Sequence, residues 1–207
     1  MKENQKIYLF VNGTLLRGFR ANRQIPQESI VYDAKIVGNL YHYVAGYPIA
    51  HVPKDSSIVE GSLDYEKDMN IQNNKNRVTP NCLPYYNDFG CIYGELYEIP
   101  YSEEMMESLD HYEGFSDDKY SLYKRSLVPV KFNKDQKEQH IWAWVYNMEE
   151  LPKKVVRVYS GDWRDCFRPY GAGLRLELYE ALRNTEDYNS LNFLRNTEDY
   201  NSLDFLE

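Results

Sequence analysis

Lys6 to Gly18 reads KIYLFVNGTLLRG. Ile7 to Val11 are aliphatic, β-branched or aromatic without interruption, and the run stops at Asn12-Gly13. The pattern predicts a buried first strand, Lys6 to Val11, ending in the loop Asn12-Gly13-Thr14-Leu15. A buried strand that closes on a glycine-bearing turn can present consecutive main-chain N–H groups to an anion or a developing oxyanion. Turns of the same composition also serve as plain connections.

Outward from this strand, further apolar or alternating runs predict strands at Ala34 to Tyr43, Tyr47 to Val52, Ile58 to Asp64, Cys91 to Ile99, Ser121 to Phe132, His140 to Met148 and Val155 to Tyr159. Most are bounded by Gly, Pro or Asn/Asp clusters. A single strong helix interrupts them. Ser102 can cap it, Glu103 and Glu104 complement its first turn, and Met105, Met106 and Leu109 recur at helical spacing as far as Tyr112. Many strands without regular strand–helix alternation predict an α+β chain whose antiparallel or mixed sheet is closed or nearly so.

Two stretches stand apart. From about 65 to 90 the composition turns to Asn, Asp, Lys and Pro, and this segment reads as an insertion loop. At the other end, LRNTEDYNSLNF (Leu182 to Phe193) is followed at once by LRNTEDYNSLDF (Leu194 to Phe205). Twelve residues advance a helix about 120° beyond whole turns, so the two copies would not share a helical face. The expected organisation is a domain over 1–173 and an appendage over 174–207, comprising a docking helix near Leu174 to Leu182 and a marginally ordered tail.

With 207 residues, 43% of them hydrophobic, one domain of ordinary size plus an appendage can bury a substantial core. The net charge of −8, without a block of Lys or Arg, argues against nucleic acid as a partner. Ile7 to Val11 is too short for a signal peptide's apolar region or a membrane span. Cys82, Cys91 and Cys166 lack CxxC spacing, and the four histidines lack metal-ligand spacing. These features predict a cytoplasmic protein with reduced thiols and no metal.

The helix ends in Leu109-Asp110-His111-Tyr112-Glu113-Gly114-Phe115. Gly114 can cap it, and Glu113 lies between Tyr112 and Phe115, where partial burial would raise its pKa into the range of a general base. A solvated glutamate at the helix end is the simpler alternative, although the helix dipole disfavours a carboxylate there.

Together these segments resemble the γ-glutamylcyclotransferase-like (AIG2-like) family. YLFVNGTLLRG is similar to the family's F-V-Y-G-T-L opening, and LDHYEGF to its L-D-x-x-E-G segment. Gly46-Tyr47-Pro48, Gly94 to Ile99, Tyr123-Lys124-Arg125 leading to Val128 and Val130, Trp144-Val145-Tyr146 and Ser160 to Arg164 follow in the family's order. The resemblance implies a small mixed β-barrel flanked by a few helices, with a pocket between the Gly-Thr-Leu turn and the glutamate. It also implies cyclisation of a γ-glutamyl amine, amide or amino acid to 5-oxoproline, with Glu113 as general acid/base and no cofactor.

By the same resemblance, Asn12, Gly13, Thr14 and Leu15 would hold the substrate, with Tyr123 beside them and Tyr120 as the competing assignment. Asn12 departs from the family, which usually has tyrosine at that place. Because a fold does not fix a function, a noncatalytic module holding a small metabolite in the same pocket is the second reading.

Overall fold

The computed structural model of the chain describes residues 5–43, 46–80, 86–116 and 121–167. Eight strands and two α-helices follow in the order β1 (Lys6–Val11), β2 (Ile30–Tyr43), β3 (Pro48–His51), β4 (Val59–Glu60), α1 (Tyr65–Lys75), β5 (Gly90–Pro100), α2 (Glu103–Glu113), β6 (Lys124–Lys134), β7 (Lys137–Asn147) and β8 (Val155–Arg157). Five of these strands close a barrel: β2 pairs β5, β5 pairs β1, β1 pairs β7, β7 pairs β6, and β6 returns to β2. All of these pairings are antiparallel except β1 with β7, which meet in parallel at Leu9 and Trp144. The chain is thus α+β with a closed mixed barrel, as its strand-rich pattern predicts.

Local sequence explains the strongest elements. In β1, Ile7, Leu9, Phe10 and Val11 are all buried, consistent with a strand enclosed by the barrel core and its cover. The β6–β7 hairpin turns on Asp135 and Gln136, both with positive φ (50° and 62°), the geometry that lets a two-residue turn follow the twist of the strands. Ser102 caps α2 by accepting from the Met105 N–H, and Met105, Met106, Leu109 and Asp110 face inward. Gly114 ends the helix in the left-handed region at φ 67°, a conformation that costs glycine little and a Cβ-bearing residue more.

The segment read as an insertion loop contains α1. Asp64 caps this helix by accepting from the Lys67 N–H at 3.0 Å, and Tyr65, Asp68, Met69 and Gln72 are buried. Its polarity has a structural cause. The Gln72 side chain exchanges two 2.8 Å hydrogen bonds with the main chain of Tyr8 on β1. One turn later, Asn76 does the same with Trp142 on β7, at 2.8 and 3.0 Å. Strands β1 and β7 share only the one register pair, and these amides satisfy main-chain groups along the seam.

Other boundaries shift modestly. Ile58 to Asp64 contributes only the two residues of β4, whereas β2 begins four residues earlier than its apolar pattern suggests. The expected docking helix and the duplicated tail lie outside the described residues.

Candidate active site

A cavity of about 210 Å³ opens between the end of β1 and the end of α2. Phe10 to Leu15 form one wall, Tyr112 and Glu113 the opposite one, and Tyr47, Pro48, Ala50, Leu122, Tyr123 and Tyr146 complete it. Asn12, Gly13, Thr14, Leu15, Glu113 and Tyr123, all singled out from the sequence, therefore meet at one cavity. Tyr120 lies outside the described residues.

The turn after β1 is built by packing. A Cβ on Gly13 would come within 2.2 Å of the Pro48 ring, so only glycine lets β3 approach here. The Leu16 N–H closes the turn onto the Gly13 carbonyl at 3.0 Å, leaving the N–H groups of Gly13 to Leu15 outside that bond. The Asn22 side chain holds the Leu15 carbonyl at 2.7 Å. Behind the turn, the Arg17 N–H and Nε both donate to the buried Glu95 carboxylate at 2.9 Å, and the Tyr97 hydroxyl donates to it as well. Arg164 approaches the same carboxylate at 3.7 Å. The motifs around Arg17, Glu95 and Arg164 are thus the clamp that fixes the turn from outside the cavity.

Glu113 is the last residue of α2, and among the described residues its carboxylate has no hydrogen-bond partner. Burial raises its pKa, and the carboxylate of Asp110 adds to the effect, bringing it to about 7. Three tyrosines surround it in different roles. Tyr112 and Thr14 share a 2.7 Å hydroxyl contact that links the two walls. The hydroxyl of Tyr123 donates to the Pro48 carbonyl, so it is committed to the scaffold and its ring serves as wall. Tyr146 donates to Asp110 at 2.5 Å.

Sequence reasoning did not assign the cavity residues Phe10, Val11, Tyr47, Pro48, Ala50, Tyr112, Leu122 and Tyr146 to the site. All but Ala50 and Leu122 sat within recognised segments, but which side chain faces inward depends on pairing and register.

Residues 65–165 match the family model described as "Gamma-glutamyl cyclotransferase, AIG2-like", a span that includes α1. Among solved structures, the YkqA protein of Bacillus subtilis is similar at 22% identity over 78% of this chain and 40% of its own, with a TM-score of 0.44. An AIG2-like protein of Mus musculus is 17% identical over 72% of this chain and 82% of its own, with a TM-score of 0.40. A yeast γ-glutamyl cyclotransferase described as specific to glutathione is 13% identical over 95% and 97%, with a TM-score of 0.43. The chain spans less than half the length of the Bacillus protein. No curated protein matches the sequence. Over residues 65–165, just under half of the chain, the protein is thus similar to the γ-glutamylcyclotransferase-like, AIG2-like family.

Proposed function

We propose that this protein cyclises a γ-glutamyl amine, amide or amino acid to 5-oxoproline, with Glu113 as the general acid/base. The observation that carries this reading is the Glu113 carboxylate, without a hydrogen-bond partner among the described residues and near neutral in its pKa, sharing a cavity with the Gly13 to Leu15 turn. The match of residues 65–165 to the cyclotransferase family model supports it. Cytoplasmic action on a small molecule, expected from the composition, goes with it.

The chemistry asks for few groups. The substrate's own α-amine is tethered to the γ-carbonyl it attacks, so no covalent enzyme intermediate is needed. Glu113 takes a proton from the α-ammonium, and the freed amine adds to the γ-carbonyl carbon. The turn's N–H groups hold the developing oxyanion or the substrate carboxylate. As the bond from the γ-carbon to the leaving nitrogen breaks, Glu113 returns its proton to that nitrogen; it then takes the second proton from the ring nitrogen and passes it to the released amine, which leaves as its ammonium beside neutral 5-oxoproline. A carboxyl with a pKa of about 7 suits both steps at neutral pH.

The test is release of 5-oxoproline from a panel of γ-glutamyl amines, amides and amino acids, by the native protein and by Glu113→Gln. Release by the native protein alone supports the reading. Undiminished release by the variant overturns Glu113 as the base, and binding without release by either protein favours the metabolite-holding module.

A further inference from the structure

Beneath the cavity lies a buried ion cluster that the reaction outlined above does not use. Arg125 Nη1 donates to both oxygens of Asp110, at 2.5 and 2.6 Å. Its Nη2 donates to Asp68 at 2.7 Å and to the Ser62 carbonyl at 2.6 Å. All three charged residues are at most 2% exposed. The guanidinium lies 4.9 to 5.6 Å from the ring centres of Phe115, Tyr65 and Trp144, a dry and aromatic setting. Two carboxylates against one guanidinium leave the cluster with a net charge of −1.

We propose that this cluster is a positioning network for Glu113, in which Asp68 shares Arg125 so that the charge of Asp110 is left partly uncompensated toward the cavity; this rests on the reading of Glu113 as the acid/base. Asp110 precedes Glu113 by three residues on α2, the spacing of neighbours on one helix face. The groups facing Glu113 come from every adjoining element. Asp110 and Tyr112 lie on α2, Tyr47 precedes β3, Tyr123 precedes β6, Tyr146 lies on β7, and the turn after β1 brings Asn12 and Thr14. Among these described groups only Asp110 carries a charge at neutral pH. It is also the neighbour whose charge opposes ionisation of Glu113.

A pair of Asp110 and Arg125 alone would anchor α2 to β6 equally well, but it would present a neutral dipole to the cavity. The second carboxylate, delivered by α1, restores the negative field. Asp68 therefore acts on Glu113 at one remove, through Arg125 and then Asp110.

The experiment follows the Glu113 carboxyl carbon by NMR in the full chain labelled with ¹³C-glutamate, the signal being assigned by its loss in Glu113→Gln. Expected is a fall in the ionisation midpoint of about one pH unit in Asp110→Asn and a smaller fall in Asp68→Asn. Tyr146→Phe keeps every charge and is expected to leave the midpoint within a few tenths of a unit. If Asp110→Asn does not fold, Asp68→Asn decides. Folded charge variants with an unmoved midpoint, whatever their melting temperatures, would overturn the proposal, as would a fall in Tyr146→Phe equal to that in Asp110→Asn. Because the midpoint is read without substrate, its failure is distinguishable from a failure of 5-oxoproline release in the native protein.

Discussion

Glu95 and Glu113 stand on opposite sides of the same turn, and both are enclosed by protein, yet their surroundings differ. Glu95, fully buried on β5, receives two hydrogen bonds from Arg17 and one from Tyr97, with Arg164 close by. Glu113 has no such partner among the described residues, and it opens onto a cavity. Burial alone does not separate a structural carboxylate from a reactive one. The hydrogen-bond donors around it do, because a carboxylate whose lone pairs are engaged has no capacity left for a substrate's proton.

The largest effect expected from breaking this contrast is on turnover. Glu113→Gln should lower kcat by at least ~100-fold with the fold intact, since the amide is nearly isosteric but cannot take the proton. Circular dichroism beside single-substrate kinetics checks both halves. Glu95→Ala should do the reverse. Removing the acceptor strands the Arg17 N–H groups and the Tyr97 hydroxyl, at a cost of about 3 kcal/mol after discounting for the half-exposed Arg17 side chain. Its melting point should fall by roughly 10 °C, and KM should rise as the turn loosens.

A smaller effect sharpens the comparison through pH. Glu113 titrates at about 7 in the folded chain, against an ordinary value of 4.5. The folded state binds that proton more tightly, so the stability it contributes is complete below about pH 4.5 and is lost as pH rises through about 7. Glu113→Gln should therefore match the native protein near pH 4.5 and exceed it by about 3 kcal/mol above pH 8, measured by urea unfolding across the range. The smallest effect concerns the duplicated tail. Removing residues 184–207 should leave the melting point within about 3 °C, and a drop beyond about 8 °C would make the tail part of the core.

Strand and helix existence was legible because Ile7 to Val11 and Met105 to Leu109 carry their periodicities in the residues themselves. The turn and Glu113 could be singled out because each sits in a few consecutive residues that resemble a family motif; their local chemistry alone left a plain turn and a solvated glutamate open. What escaped was set by partners distant in sequence. The polar residues of α1 looked like a loop because Gln72 and Asn76 bond strand main chains instead of burying apolar surface. Nothing local in Asp68 announces that it will meet Arg125, 57 residues away in the chain. Tyr123 lines the cavity, and nothing local announces that its hydroxyl donates to a carbonyl of β3.

Pro48 joins two of the cavity's walls, its ring set against Gly13 and its carbonyl receiving Tyr123. In mechanical terms it is a keystone: a change at this one position displaces the anion-holding turn and an aromatic wall together. Tyr47 and Leu122 line the cavity beside it without that double duty. Variation in substrate choice, whether by drift or by directed evolution, should therefore accumulate at those two positions, while position 48 stays fixed by the cost of moving two walls at once.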